Sequence, residues 1–310
     1  MNPETQKSHS KVSIIGCGYV GMATAYALLL REEIRELVLV SRDTKRITGE
    51  QLDLEHGLIF MGTSKVKATE TYDDIAGSDV VIITAGAAQN PGETRLDLTK
   101  KNITIIKDII PKIVSASPDS VIIVVTNPVD ILTYHAAKIA GLPPGRVFGS
   151  GTTLDTSRFR FHLSEIVHVN PKSIHAYVLG EHGDSSFPTI HAANVGGQKL
   201  LSFHGVTYDE IMKAYDKAAT AAYRIIEAKG ATCYAIGVVV AHLVQAILHD
   251  SKRVTPLSTI LQGEYGFSDV ALSLPCVLGK NGVESTLSIA LSDEEHGWLA
   301  KSVHTLTSHL

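Results

Sequence analysis

The segment KVSIIGCGYVGMA, residues 11–23, constrains the fold of this chain more than any other. An apolar run with strand character ends at Gly16, and Gly18 and Gly21 follow in G-x-G-x-x-G spacing ahead of a helical pattern. In that setting the first glycine permits a tight turn. The second lets the backbone approach a pyrophosphate, and the third lets the helix lie close on the strand. The phosphates would sit on the helix N-terminus, where free N–H groups and the helix dipole favour anions. A purely structural glycine turn is the alternative, and the strand–turn–helix context favours a dinucleotide site.

The surrounding pattern agrees. Residues 12–15, 37–40, 80–84 and 121–126 are continuous Val/Ile-rich runs, as expected of strands buried on both faces. Helical patterns at 22–30 and 103–115 lie between them, and such alternation implies a parallel sheet with right-handed crossovers. The pattern changes after Gly149. Residues 175–206 suggest short strands and turns with a hairpin at Gly196-Gly197, and helices are expected over 208–229 and 231–249. Ser292 and Glu295 have capping-box spacing ahead of a last helix running to Leu310. The expected fold is α/β: a Rossmann-type doubly wound parallel sheet over 11–149, with part of 231–250 packed on it. A smaller α+β catalytic domain over 150–310 and a polar tail over 1–10 complete it.

Composition narrows the class of function. Hydrophobic residues make up 44% and charged residues 19% of 310, enough for a packed core. The net charge of −4 without a Lys/Arg block argues against nucleic acid or an anionic membrane as partner. Three separated cysteines, Cys17, Cys233 and Cys276, fit a reducing compartment. The polar first ten residues lack a signal-peptide core, and no apolar stretch reaches membrane-span length, so the expected location is cytoplasmic. No HExxH or paired CxxC occurs, and no metal is expected.

Cofactor choice turns on the end of the second strand, LVLVSRDTKR. NAD-preferring folds place there an acidic residue that accepts hydrogen bonds from the adenosine ribose. This chain has Ser41 and then Arg42. A hydroxyl does not repel a 2′-phosphate, and a guanidinium binds one in a fork, so NADP use or dual use is one reading. The other keeps NAD, with Asp43 or a shifted register serving the ribose and Arg42 solvated.

Four later segments lie at strand ends or helix starts, the edge where open α/β sheets bind ligands. They are the loop ITAGAAQNPGETRLDLTKKN with Arg95, TNPVD with Asn127, GTTLDTSRF with Asp155 and Arg158, and LGEHGD with His182. Singly, each has a plainer explanation. Asp155 suits a first helical turn, Arg158 is its i+3 surface partner, and His182 is a loop histidine. His162 and His168 read as structural or surface residues.

Together the segments resemble the lactate/malate dehydrogenase family. GxGxxG, PGETRLDL, TNPVD, GTTLDTSRF and GEHGD match in order and spacing from about Lys11 to the last helix. The resemblance implies a hydride-transferring enzyme of small 2-hydroxy acids in which His182 gives a proton to the substrate carbonyl. Asp155 would fix the tautomer of His182 and raise its pKa. Arg158 would clamp the substrate carboxylate, and Arg95 would stabilise charge on the carbonyl oxygen. Asn127 would hold the carbonyl side, and Thr232, in KGATCYAIG, would line the pocket.

Gln89, six residues before Arg95, occupies the position that separates lactate from malate specificity in this family. A neutral amide offers no counter-charge to a second carboxylate, which points to pyruvate and L-lactate. A cation from Lys100 or Lys101 is the alternative. The chain also resembles the members activated by fructose 1,6-bisphosphate at Arg160 and His175. There the pair lies at a subunit interface, and cations gathered with their symmetry mates repel until an anion bridges them. The plainer reading puts Arg160 on a solvated helix face and His175 at a strand start. A homotetramer is what the family implies.

Overall fold

The computed structural model describes residues 10–87 and 95–310, with no account of the Arg95 and Leu96 side chains. Gln89 and positions 1–9 of the expected tail therefore lie outside the described residues. The first half alternates as the sequence requires, in the order β1 (Lys11–Ile15), α1 (Tyr19–Leu29), β2 (Glu36–Val40), α2 (Thr44–Gly57), β3 (Lys65–Thr69) and β4 (Val80–Ile83). There follow α3 (Arg95–Ala116), β5 (Val121–Val124), α4 (Val129–Ala140) and β6 (Val147–Gly149). Every residue of β4 and β5 is buried, because helices cover both faces of the sheet. The edge strand β3 alternates lysines with Val66 and Ala68, a pattern that discourages edge-to-edge pairing.

The second half supplies α5 (Thr153–Val167) and the short strands β7 (Ile174–His175), β8 (Val178–Leu179), β9 (Phe187–Pro188), β10 (Asn194–Val195) and β11 (Gln198–Lys199). Then come α6 (Tyr208–Lys229), α7 (Tyr234–Leu248), β12 (Arg253–Gln262), β13 (Ser268–Gly279), β14 (Gly282–Thr286) and α8 (Asp293–Thr307). The hairpin turn joins β10 to β11 with Gly196 at φ 59 and Gly197 at φ 87, both in the left-handed region. Ser292 and Glu295 cap α8 reciprocally.

Among the described residues the main sheet has nine strands in the order β14-β13-β12-β6-β5-β4-β1-β2-β3. The strands from β6 to β3 run parallel, and β12, β13 and β14 extend the sheet with each pairing antiparallel to its neighbours in that order. The parallel sheet expected from the first half is thus extended by strands of the second, and one sheet runs through both halves. The chain winds outward from β1 through β2 to β3, then restarts at β4 on the other side of β1. That reversal opens a crevice beyond the carboxyl ends of β1 and β4, the place where such sheets bind ligands.

Two apolar layers flank the sheet. On one face Val12, Ile14, Leu37 and Leu39 pack with Val240, Val244 and Ile247 of α7. On the other, Val81 and Ile83 meet Ile106 and Ile110 of α3 and Leu132 of α4. Full burial of such a side chain contributes about 1.5–3 kcal/mol. Helix α7 lies close on α1, and a Cβ at Gly237 would stand 2.7 Å from the Ala23 carbonyl carbon. Two helices begin earlier than expected: α1 at Tyr19, where Gly21 interrupts the apolar pattern, and α3 at Arg95, whose opening turns are rich in charged residues.

Candidate active site

The glycine turn forms an open cradle. Gly16 adopts φ +98, and a Cβ there would collide with the Ala85 backbone. A Cβ on Gly21 would strike the Gly16 carbonyl oxygen, so the third glycine admits the helix to the strand. Gly18 differs, for a Cβ placed on it meets nothing within 4 Å. Nothing inside the chain requires glycine at that position, whereas a pyrophosphate drawn onto the first turn of α1 would. That turn carries no acidic side chain to oppose an anion. The cradle fits a dinucleotide.

Beyond β2, the Ser41 backbone N–H donates to the Thr69 carbonyl at 3.0 Å. Asp43 caps α2, its Oδ1 accepting the Arg46 N–H at 3.0 Å. Arg42 is exposed.

At the same edge the structure joins three of the sequence-predicted residues. His182 Nδ1 donates to Asp155 Oδ2 at 2.6 Å, and Arg158 Nη1 donates to Asp155 Oδ1 at 3.0 Å. Asp155 and Arg158 lie one turn apart on α5 and share a face. Their side chains are each 12% exposed, so the pair is interior rather than a surface i+3 contact. The carboxylate cannot donate, so the shared proton belongs to Nδ1 and Nε2 is left for a substrate. The Asp155 charge pushes the His182 pKa up from 6.5 to about 9 against the effect of burial. Burial acts to raise the Asp155 pKa, but His182 and Arg158 outweigh it and hold this carboxyl below its usual range.

The β13 strand aligns these parts. Ser273 exchanges backbone hydrogen bonds with Gly180 at 2.9 and 3.0 Å, and its Oγ accepts the Thr152 N–H at 3.0 Å. One buried serine therefore registers the start of α5 against the loop that carries His182. Thr156 strengthens the alignment by accepting the Val178 N–H at 2.9 Å.

Two residues absent from the sequence reading complete the site. Asp130, 2% exposed in the first turn of α4, accepts the His182 backbone N–H at 2.7 Å. Burial pushes its pKa up to about 6, partly offset by hydrogen bonding and the His182 charge. Its place in TNPVD, as an acid opening an apolar helix, was the available signal. Buried Asn102 of α3 accepts the Ala87 N–H and donates to the Asn127 carbonyl, both at 2.8 Å, so it ties two loop ends together. The Asn127 side chain is exposed at the end of β5. Thr232 precedes α7 and makes no hydrogen bond with the His182 group.

Arg160 lies against the segment that follows His175, whose own side chain is exposed. Arg160 Nε donates to the Ala176 carbonyl at 2.8 Å, one residue from His175, and its guanidinium lies 5.0 Å from the Tyr177 ring centroid. Arg160 therefore bridges α5 to the β7 segment instead of standing on a solvated helix face. His162 pairs with Glu165 at 3.0 Å, and His168 ends α5 in the left-handed region at φ 53. Cys17, Cys233 and Cys276 are buried free thiols. Among the described residues no helix is long and apolar enough to cross a membrane, and no His/Cys/Asp/Glu group is arranged to hold a metal.

A glycine cradle beside a carboxylate-oriented histidine and a buried arginine defines a nicotinamide-dependent oxidoreductase. The chain belongs to the lactate/malate dehydrogenase family: its NAD binding domain model matches residues 10–149 and its alpha/beta C-terminal domain model residues 152–310. The chain is 47% identical to the L-lactate dehydrogenase of Synechococcus sp. (strain JA-3-3Ab), over 96% of this chain and 97% of that protein. It is 46% identical to the L-lactate dehydrogenase C chain of Mus musculus, over 98% and 93% respectively. A crystal structure of a lactate dehydrogenase from a Medee basin deep-sea metagenome superposes with TM-score 0.94 at 39% identity, covering 97% of this chain and 98% of that one.

Proposed function

We propose that this chain is an L-lactate dehydrogenase that interconverts pyruvate and L-lactate with NAD, and that it acts in the cytoplasm. The observation that carries the reading is the continuous Arg158–Asp155–His182 line at the sheet edge beside the glycine cradle. The bound nicotinamide supplies or accepts the hydride at the substrate C2. His182 Nε2 gives its proton to the carbonyl oxygen in reduction and takes it back in oxidation. Asp155 keeps the ring in the Nδ1–H tautomer and stabilises the charged imidazole. Arg158, with no described partner on Nη2 or Nε, grips the substrate carboxylate and fixes which face of C2 is presented. Arg95 stabilises negative charge on the carbonyl oxygen, Asn127 holds the carbonyl side, and Thr232 lines the pocket beside the substrate methyl group. Gln89 selects pyruvate over oxaloacetate because it provides no counter-charge for a second carboxylate.

Regulation by fructose 1,6-bisphosphate belongs to the same proposal, as does assembly into a homotetramer. Arg160, anchored to the Ala176 carbonyl next to His175 in the chain, would meet a phosphate together with that exposed histidine across a subunit boundary. The test is NADH oxidation with pyruvate and with oxaloacetate, each with and without the bisphosphate. The expected result is strong preference for pyruvate and a lower pyruvate KM with the bisphosphate. Faster turnover of oxaloacetate would make the enzyme a malate dehydrogenase. An unchanged KM would remove the regulatory role of Arg160 and His175.

A further inference from the structure

The edge beyond β2 carries a combination unsuited to exclusive binding of an unphosphorylated ribose. The register Ile15↔Val40 and the Gly16 N–H donated to the Val40 carbonyl at 2.9 Å set Ser41 directly beside the glycine turn. A dinucleotide whose pyrophosphate lies on Gly18 lays its adenosine ribose over the end of β2, where an acidic side chain serves the ribose diol in NAD sites. Ser41 occupies that place, and its backbone is pinned to β3 through Thr69. The nearest acid, Asp43, is committed to α2: its Oδ1 accepts the Arg46 N–H at 3.0 Å, and its own N–H donates to Ser41 Oγ at 3.3 Å. Ser41 Oγ, with an acceptor position used by Asp43, keeps its proton for another partner. Arg46 pairs with Glu50 at 3.4 Å, whereas exposed Arg42 has no ion pair among the described residues. Exposed Lys45 adds positive charge at the same end of α2.

We infer that this edge is a subsite for a ribose 2′-phosphate, in which Arg42 forks onto the phosphate oxygens and the Ser41 hydroxyl donates to one of them. The chain accordingly binds NADPH as well as NADH. This inference rests on the dinucleotide reading of the glycine cradle and deepens it by naming a second cofactor class. A carboxylate at position 41 would repel the phosphate, whereas an uncommitted guanidinium gains a charge-assisted pair.

The test is direct binding of NADH and NADPH to the full chain without substrate, followed by nucleotide fluorescence. NADPH is expected to bind within about threefold of NADH, and Arg42→Ala to weaken NADPH about tenfold while leaving NADH unchanged. Ser41→Asp is expected to weaken NADPH by about a hundredfold and keep or tighten NADH, which also shows that the variant is folded. NADPH at least tenfold weaker than NADH in the native chain overturns the subsite and leaves the dehydrogenase reading standing; so does an Arg42→Ala variant that changes neither. Binding of neither nucleotide overturns both. Turnover of pyruvate, measured separately, bears only on the dehydrogenase reading.

Discussion

The nucleotide edge and the catalytic edge sit at the same end of the sheet but are built on opposite principles. At the nucleotide edge nothing is joined in advance, and the groups offered to a cofactor are backbone N–H groups and uncommitted side chains. Gly18 leaves empty space, and Arg42 stands in solvent without an ion pair among the described residues. At the catalytic edge the charges are already joined before any substrate arrives: Arg158, Asp155 and His182 form one chain, with Asp130 behind the His182 backbone. Pre-pairing in a buried place sets protonation state and geometry together, whereas an open cradle sets only where a phosphate lies. Substitutions at the catalytic edge should therefore change chemistry or the binding of pyruvate. Those at the nucleotide edge should change cofactor affinity and leave chemistry intact.

The largest effect that can break this contrast is Asp155→Asn. It keeps the side-chain shape, removes the charge that holds the imidazolium and allows the wrong tautomer, so kcat for pyruvate reduction should fall by roughly a thousandfold or more. Steady-state kinetics with saturating NADH check this, and a loss seen only in the cofactor KM would defeat the contrast. Arg158→Leu should follow at roughly a hundredfold to a thousandfold in kcat/KM for pyruvate, because it removes the clamp and leaves Asp155 short of a partner. The loss should fall mainly on the pyruvate KM.

Gly18→Ala should act on binding alone. Its Cβ meets nothing within 4 Å, so thermal denaturation of the nucleotide-free protein should be unchanged, while the NADH Kd rises about tenfold. Equal Kd values would mean that the cradle does not receive the pyrophosphate. The smallest effect expected is that of Asp130→Asn, a few-fold in kcat, since the amide oxygen still accepts the His182 N–H. Its signature lies in stability. A carboxyl raised from 3.8 to about 6 favours the protonated folded state at acid pH, and that contribution is lost as pH rises through about 6. Between about pH 4 and pH 6 the native chain should thus lose more Tm than the Asp130→Asn variant does.

What the sequence disclosed tracks the range over which each signal acts. The glycine turn, the Gly196-Gly197 hairpin and the Ser292–Glu295 capping box are local, and the structure contains all three. Helix α6 occupies the residues its periodicity indicates. Strands β12 and β13 escaped because each carries a proline in its interior, and prolines ordinarily mark edges or breaks. Pro256 and Pro275 face each other across the pair, an arrangement that only the register reveals. At the site, the grouping of Asp155, Arg158 and His182 was legible because five motifs occur in family order. Asp130, Asn102 and Ser273 were not, since each acts on backbone groups far away in sequence. No local pattern encodes a bond from α4 to residue 182 or from β13 to residue 152.

In the proposed mechanism Asp155 makes His182 the proton carrier and sets its working range. It is tested most directly by the pH dependence of kcat/KM for pyruvate with NADH, in the native chain and in Asp155→Asn. Reduction requires the protonated imidazole, so the native rate should hold through neutrality and fall on the alkaline side with an apparent pKa of about 9. In the variant that fall should move down toward the ordinary histidine value of 6.5. Coincident midpoints in the two proteins, or a native midpoint already at the ordinary value, would contradict it.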